Sequence, residues 1–336
     1  MSATPEAALA PSTRSGGGIP HPGAAFRRQN ASGRSSGPTV LIREVGPRDG
    51  LQVEAPVPVA HRVRLIEALV AAGLRCIEAS AFVSPRAVPA MAGAAEVMAA
   101  LEARGDEGVT YTVLVPNVVG AEMATYCHEV TFTLSVSPAY NERNVNMSID
   151  RSVDEAARAV EVLAERQIPV DAVVSCAFGS PFEGDIDPGA VHTLGRRLLD
   201  VGVASLTYAD TTGMATPRRI GELLTVTGTD VGLHLHDTRG TALVNAYAAF
   251  ELGVRRFDTA VGGLGGSPAT RGRIGSGTGG NLATEDLVHL FDDLGVATGI
   301  DLEGLLAASH LAAELVGHSV PSRVAAAGPR GRLAPE

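Results

Sequence analysis

The sequence contains no lysine, and all 27 of its basic residues are arginines. Schiff-base aldolases, lysine-anchored pyridoxal phosphate and the phosphate-binding lysine of a P-loop all require an ε-amine, so these chemistries are excluded. Tryptophan is also absent, and aromatic residues make up only 4% of the chain. Because the formal net charge is −10 and stacking groups are scarce, we expect no nucleic-acid partner.

Long apolar runs and closely spaced cysteines are missing as well. No apolar run approaches the roughly 18 residues that a membrane-spanning helix needs, so we expect no membrane segment. The three cysteines, Cys76, Cys127 and Cys176, lie too far apart for a metal knuckle and are odd in number for a disulfide framework. This cysteine usage predicts a protein of the reducing cytoplasm.

The first part of the chain has few residues that could build a core. Residues 1–38 contain 17 Gly, Pro or Ser but only three Leu, Ile, Val or Phe. Burial in such a segment cannot offset the entropy lost on ordering it, so a disordered tail is predicted. The expected organisation is a tail at 1–38, one catalytic domain at 39–325 and a short C-terminal tail at 326–336.

Beyond the tail, short segments rich in Val, Ile and Thr alternate with longer segments of helical periodicity. Strands are predicted at 40–44, 76–82, 110–116, 129–136, 170–178, 205–210, 231–237 and 256–261. Helices are predicted at 58–72, 88–103, 153–166, 188–201, 216–225 and 240–252. Eight strand–helix units are the number in a (β/α)8 TIM barrel. A doubly wound sheet is the competing α/β fold, but it usually opens with a Gly-rich turn, whereas the first turn here is VGPRDG at 45–50.

Polar residues cluster at the carboxyl ends of the predicted strands, where a barrel places its active site. They are Arg48, Asp49, Glu78, Asp210, His234, His236 and Asn281. The two histidines lie two apart on one strand, so both imidazoles point into the barrel. A lone histidine there would more simply be a hydrogen-bonded core residue, but a pair followed by Asp237 favours a metal site. Imidazole, carboxylate and amide donors without a thiolate favour Mg²⁺ or Mn²⁺, with Zn²⁺ as an alternative.

A series of motifs runs through the chain in the order of the predicted strand ends. The motifs are REVGPRDGLQ at 43–52, IEASAFVSPRAVPAM at 77–91, VPN at 115–117, VSCAFGSPFEG at 174–184, ADTTGMATP at 209–217, HLHDTRG at 234–240, GGLGG at 262–266 and GNLATEDLV at 280–288. Over about residues 40–325 the chain resembles the 3-hydroxy-3-methylglutaryl-CoA lyases, which are metal-dependent TIM barrels. The resemblance implies cleavage of 3-hydroxy-3-methylglutaryl-CoA, or of a related 3-hydroxyacyl-CoA, to acetyl-CoA and a keto acid, as in leucine degradation. It also implies an acyl-CoA as the small-molecule partner and a homo-oligomer, expected to be a dimer.

The resemblance implies a role for each polar residue at the strand ends. The family's metal ligands fall on Asp49, His234, His236 and Asn281. Arg48 matches the catalytic arginine, which would stabilise the enolate oxygen formed on cleavage, although a structural ion pair with Glu78 is an alternative role. Glu78 and Asp210 match acidic residues that support the site. The base that accepts the hydroxyl proton is either His234 or an acid beside the metal.

One position departs from the family's pattern. The lyases carry a cysteine shortly after GGLGG, in the loop that closes over the substrate, where it is thought to donate a proton; this chain has Ser267 there. An alcohol is a far weaker acid than a thiol. The same loop is longer than usual and contains Arg271 and Arg273, which are either solvated or in contact with CoA phosphates. Two alternative functions therefore stay open: a related aldolase or condensing enzyme of the same barrel superfamily, and a non-catalytic acyl-CoA-binding relative.

Overall fold

The computed structural model describes residues 40–266 and 280–331, so the predicted tail at 1–38 and the predicted site residue Ser267 lie outside it. All eight predicted strands form, and they close into one parallel barrel in chain order. They are β1 (Leu41–Glu44), β2 (Cys76–Ala81), β3 (Thr110–Val115), β4 (Glu129–Ser135), β5 (Val170–Ser175), β6 (Ser205–Asp210), β7 (Gly232–Leu235) and β8 (Arg256–Thr259). Strand β1 pairs with both β2 and β8, which closes the barrel. The predicted TIM barrel is confirmed.

Helices follow the strands and cover the outside of the barrel. They are α1 (Val59–Ala71), α2 (Ala94–Arg104), α3 (Val118–Met123), α4 (Pro138–Val145), α5 (Ile149–Ala164), α6 (Pro188–Asp200), α7 (Pro217–Thr227), α8 (Ala242–Leu252), α9 (Thr284–Asp293), α10 (Leu302–Val316) and α11 (Arg323–Ala327). Ser, Thr or Asp side chains cap the N-termini of α4, α5, α7 and α10 by accepting backbone N–H bonds. In the part of the chain that the structure describes, none of these helices has both the length and the apolar character needed to cross a membrane.

The structure differs from the sequence prediction in local detail. The predicted strand at 170–178 ends at Ser175, because Cys176 takes a left-handed backbone conformation with φ of 60° and turns the chain into a loop. Helices α3, α4, α9, α10 and α11 are not among the predicted helices; α3, α4 and α11, at 6, 8 and 5 residues, are too short to show helical periodicity.

The apolar core lies between the barrel and its helices. Outward-facing strand residues such as Phe132 and Phe257 are buried there, and the Phe257 ring packs 6.0 Å from that of Phe291 on α9. Side chains alternate along a strand, so the neighbours of these residues face the lumen. The lumen is polar and is crossed by the guanidinium of Arg43, which donates hydrogen bonds to Asp171 and Asp258 on two other strands.

Candidate active site

Three of the predicted metal ligands meet at one end of the lumen. Asp49 lies in a turn of π-helix at Gly46–Gly50 that follows β1, while His234 lies on β7 and His236 directly after it. All three residues are buried, and their potential ligand atoms lie within 4.8 Å of one another. The Nε2 atoms of the two histidines are 3.1 Å apart. Both imidazoles therefore point toward the same place, as the spacing of two residues on a strand requires.

Asn281, the fourth predicted ligand, joins this cluster from the segment after β8. Its Nδ2 donates hydrogen bonds to Asp49 Oδ2 at 2.7 Å and to the Leu264 carbonyl oxygen at 2.9 Å. Its Oδ1 is buried and has no hydrogen-bond partner among the described residues. A buried amide oxygen without a partner is costly, and it is a suitable ligand for a hard cation. Two imidazole nitrogens, a carboxylate oxygen and this amide oxygen together fit a divalent metal ion.

The predicted site did not include Asp258, which holds His234 from the side opposite the cluster. Asp258 Oδ2 lies 3.3 Å from Nδ1 of His234 and accepts its hydrogen, which leaves Nε2 for the cluster. Burial lowers the pKa of His234, but the hydrogen bond to Asp258 and the charge of Asp49 outweigh burial and raise it. Burial and the neighbouring His234 lower the pKa of His236 to about 4. Asp258 could have been found from the alternation along β8, which places its charge in the lumen.

Arg48 lies beside the ligand cluster and is buried. Its Nε donates to Glu78 on β2 and its Nη1 donates to Asp49. Burial lowers the pKa of Arg48, but the charges of Glu78 and Asp49 outweigh burial and raise it, so the guanidinium stays charged. In turn Arg48 and the two histidines outweigh the effect of burial on Asp49 and lower its pKa. The ion pair with Glu78 exists, and it places the cation next to the candidate metal ligands.

Two acidic residues, on β2 and β6, each have one carboxylate oxygen that is not used within the described structure. Asp210, at the end of β6, accepts a hydrogen bond from the Met214 amide at 2.6 Å through Oδ1. Its Oδ2 and the Oε1 of Glu78 are buried, and within the described ranges neither has a hydrogen-bond partner. Burial raises the pKa of Asp210 to about 6. This carboxyl therefore titrates close to neutral pH, where a general acid or base is most effective.

Glu44, at the end of β1, is hydrogen-bonded both to the turn that carries Asp49 and to the segment after β8 that carries Asn281. Its Oε1 accepts the backbone N–H groups of Gly46 and Val261, each at 2.8 Å, and its Oε2 accepts the Thr284 hydroxyl at 2.6 Å. Burial raises the pKa of Glu44 to about 8. A protonated Glu44 can keep all three contacts, because its O–H can donate to the Thr284 oxygen instead.

We expect Glu44→Gln to reduce the pH dependence of stability. In the native state this carboxyl keeps its proton to about pH 8, whereas in the unfolded chain it loses it near its ordinary pKa of 4.5. The unfolded state therefore binds fewer protons between these values, and this group makes stability fall as pH rises through that window, by at most about 1.4 kcal/mol per pH unit. The free energy of unfolding, measured with urea from pH 5.5 to 8, should decline less in Glu44→Gln than in wild type. Glu122→Gln at an exposed position is the control, and its free energy of unfolding should decline with pH as that of wild type does. A decline in Glu44→Gln as large as that in wild type would contradict the raised pKa of Glu44.

Comparison with known proteins gives an independent result. Residues 39–312 match the family described as HMGL-like. The chain is 43% identical over 274 residues to a hydroxymethylglutaryl-CoA lyase of Pseudomonas mevalonii, an alignment that covers 79% of this chain and 89% of the relative. It is 39% identical over 296 residues to a 3-hydroxy-3-isohexenylglutaryl-CoA/hydroxymethylglutaryl-CoA lyase of Pseudomonas aeruginosa, covering 86% of this chain and 96% of the relative.

A solved structure is similar over nearly the same part of the chain. It is an HMG-CoA lyase from Acinetobacter baumannii in complex with coenzyme A and 3-methylmalate. The two structures superpose with a TM-score of 0.80 at 38% identity, covering 88% of this chain and 97% of that chain.

Proposed function

The chain belongs to the HMGL-like family, and from this membership we propose that it is a metal-dependent carbon–carbon lyase. It cleaves 3-hydroxy-3-methylglutaryl-CoA, or a related 3-hydroxyacyl-CoA, to acetyl-CoA and a keto acid. The observation that carries this proposal is the convergence of Asp49, His234 and His236 with the unpartnered Oδ1 of Asn281, directly beside Arg48. A lyase of this kind needs a cation site next to a fixed positive charge, and these residues provide both.

The candidate ligands suit the first step of the reaction. Cleavage of the C2–C3 bond turns the 3-hydroxyl into a ketone and releases the thioester part as an enolate. A divalent cation held by the four ligands would polarise the substrate's hydroxyl and lower its pKa. We assign Mg²⁺ or Mn²⁺ to the site, because two of the four donors are oxygens and no thiolate takes part.

We assign the proton-accepting role to Asp210 rather than to His234. Both ring nitrogens of His234 are engaged, since Nδ1 contacts Asp258 and Nε2 faces His236 and Asp49. Asp210 has a free carboxylate oxygen, and burial raises its pKa to about 6. At neutral pH it is therefore mostly ionised yet basic enough to accept the hydroxyl proton.

Arg48 would then stabilise the negative charge that develops on the thioester oxygen. Its side chain is held from two sides by Glu78 and Asp49, so little reorganisation is needed when the charge forms. Glu78 acts as a positioning residue for this guanidinium. The enolate that leaves must finally take up a proton at carbon, and the family position for that donor is Ser267, outside the described residues.

An acetyl-CoA release assay tests the proposed function. The purified protein with Mg²⁺ or Mn²⁺ is offered 3-hydroxy-3-methylglutaryl-CoA and a panel of other branched 3-hydroxyacyl-CoAs, and both products are quantified. We expect acetyl-CoA and a keto acid in equal amounts from at least one thioester. Binding of the thioesters without any release would point to the non-catalytic alternative. Formation of a 3-hydroxyacyl-CoA from acetyl-CoA and a keto acid, without measurable cleavage, would point to the condensing enzyme.

We expect Ser267→Cys to raise turnover on 3-hydroxy-3-methylglutaryl-CoA. A thiol is a stronger acid than an alcohol, and general-acid catalysis contributes about 10²–10⁴-fold, so a partly positioned thiol should give a visible gain in kcat. Ser267→Ala, measured at the same metal concentration, is the control for loss of the hydroxyl. A cysteine variant no faster than wild type on every thioester tried would exclude the missing thiol as the step that limits turnover.

The remaining expectations concern partners and location. Coenzyme A in the Acinetobacter baumannii structure supports an acyl-CoA as the small-molecule partner. Val119 and Met123, four residues apart on α3, and Tyr126 just after it are large apolar residues that are exposed, which supports a homodimer. All three cysteines are free and buried, which supports a protein of the reducing cytoplasm.

A further inference from the structure

A buried arginine crosses the barrel lumen below the candidate metal site. Arg43 on β1 donates two parallel hydrogen bonds to the Asp258 carboxylate, from Nε to Oδ1 at 2.8 Å and from Nη2 to Oδ2 at 2.9 Å. Its third nitrogen, Nη1, donates to Asp171 at 3.0 Å on the far side of the lumen. A planar guanidinium bound in this bidentate way fixes the orientation of the carboxylate as well as its charge.

The same carboxylate contacts a candidate metal ligand. Asp258 Oδ2, which accepts from Arg43, also accepts from Nδ1 of His234 at 3.3 Å. The strand register explains this contact, because Asp258 on β8 is paired with Arg43 on β1 and with His234 on β7. Three lumen-facing residues therefore lie side by side across three adjacent strands.

We propose that Arg43 is a positioning residue for the metal centre, acting through Asp258 on His234. Arg43 sets the plane of the Asp258 carboxylate, and the carboxylate sets the ring orientation of His234 so that Nε2 faces Asp49 and His236. Partners of this kind behind a ligating histidine typically change metal affinity by about 10–100-fold when they are altered. The inference rests on the proposed metal-dependent function, since it requires that the cluster bind a cation.

Asp171 provides a control that distinguishes this positioning role from a purely structural one. It is buried in the same lumen and accepts from Arg43 Nη1, but its other partners are the hydroxyls of Ser205 and Thr207 and, at 3.9 Å, the guanidinium of Arg256. Loss of either aspartate contact would weaken a buried ion-pair network and lower stability. Of these two aspartates bonded to Arg43, only Asp258 also contacts a candidate metal ligand, His234.

The test measures Mn²⁺ affinity of the full chain in the absence of substrate. Arg43→Lys keeps the positive charge, but a lysine ammonium lacks the fork that holds both oxygens of Asp258. We expect its Kd for Mn²⁺, measured by electron paramagnetic resonance, to rise by about tenfold, and the visible absorption of the Co²⁺-loaded protein to change. The matched control Asp171→Asn should lower the unfolding midpoint but leave the Kd and the Co²⁺ spectrum close to those of wild type.

The outcomes distinguish this inference from the proposed function. If wild type binds Mn²⁺ and Arg43→Lys has the same Kd, the role of Arg43 is overturned and the proposed function stands. If Arg43→Lys and Asp171→Asn weaken binding equally, Arg43 is only structural. A wild-type protein that binds no Mn²⁺ would overturn both ideas. Should Arg43→Lys fail to fold, the double variant Arg43→Met/Asp171→Asn, which removes one charge of each sign, must show the same rise in Kd.

Discussion

Replacing Arg48 by methionine is expected to lower kcat for acetyl-CoA release by about 10²–10³-fold and to change KM much less. The reason is that the charge on the thioester oxygen develops mainly in the transition state, so the guanidinium contributes little to binding of the ground state. Arg48→Lys should not restore the rate, because Arg48 is held at Nε and Nη1 by Glu78 and Asp49, and a single ammonium cannot bond to both in the same plane.

A matched control distinguishes this effect from the loss of any buried arginine. Arg62 on α1 is fully buried and donates hydrogen bonds to the Ala92 carbonyl oxygen and the Ser80 hydroxyl, neither of which belongs to a candidate ligand. Arg62→Met should lower the unfolding midpoint with little effect on kcat per folded molecule. If Arg48→Met raises KM and leaves kcat intact, Arg48 is instead a residue that binds the substrate's ground state.

Replacing His236 by alanine is expected to remove most of the bound metal and most of the turnover together. The substitution deletes one of four donors and leaves Asp49, His234 and Asn281, a set with too few ligands for tight binding at the same geometry. Metal content after dialysis and kcat are measured on the same preparation. His192→Ala on α6, which removes an imidazole that is not one of the candidate ligands, is the control. Full metal content and full rate in His236→Ala would show that the ligand assignment is wrong.

The pH dependence of metal binding follows from the same cluster. A metal-bound imidazole must be neutral, so a proton on His234 competes with the metal. Because the contact with Asp258 and the charge of Asp49 raise the pKa of His234, we expect the affinity for Mn²⁺ to weaken already as pH falls through its ordinary value of 6.5. Affinity that is constant from pH 8 to pH 5.5 would contradict the participation of His234.

The parts of the site that lie on short local motifs could be predicted from the sequence. His234 and His236 stand two apart at the end of one predicted strand, and Arg48 and Asp49 adjoin each other in the turn after the first strand. Their positions follow from the number of strands and from the rule that the carboxyl ends of barrel strands converge. The order of the strands also follows from the alternation of strand and helix patterns. These predictions needed no information on how distant strands align.

Asp258, Arg43 and Glu44 were not predicted, because their roles depend on register between strands far apart in sequence. Arg43 and Asp258 are separated by 215 positions and meet only because β1 and β8 close the barrel with these two residues paired. Nothing local in either strand sets that register. For Arg43 and Asp258 the one local signal is an alternation that puts a charged residue on the lumen face, and a charge inside a barrel is explained only when its partner is known.

The most direct test of the central claim is a titration of the metal-free protein with Mn²⁺ in which bound metal and acetyl-CoA release from 3-hydroxy-3-methylglutaryl-CoA are measured together. The central claim is that one cation, held by Asp49, His234, His236 and Asn281, is required for cleavage of the thioester. We predict no release without metal, and a rate that rises in proportion to bound Mn²⁺ and levels off at one ion per chain. Acetyl-CoA release by the metal-free protein as fast as by the Mn²⁺-loaded protein would contradict this claim. A rate that does not follow the amount of bound Mn²⁺ would contradict it as well.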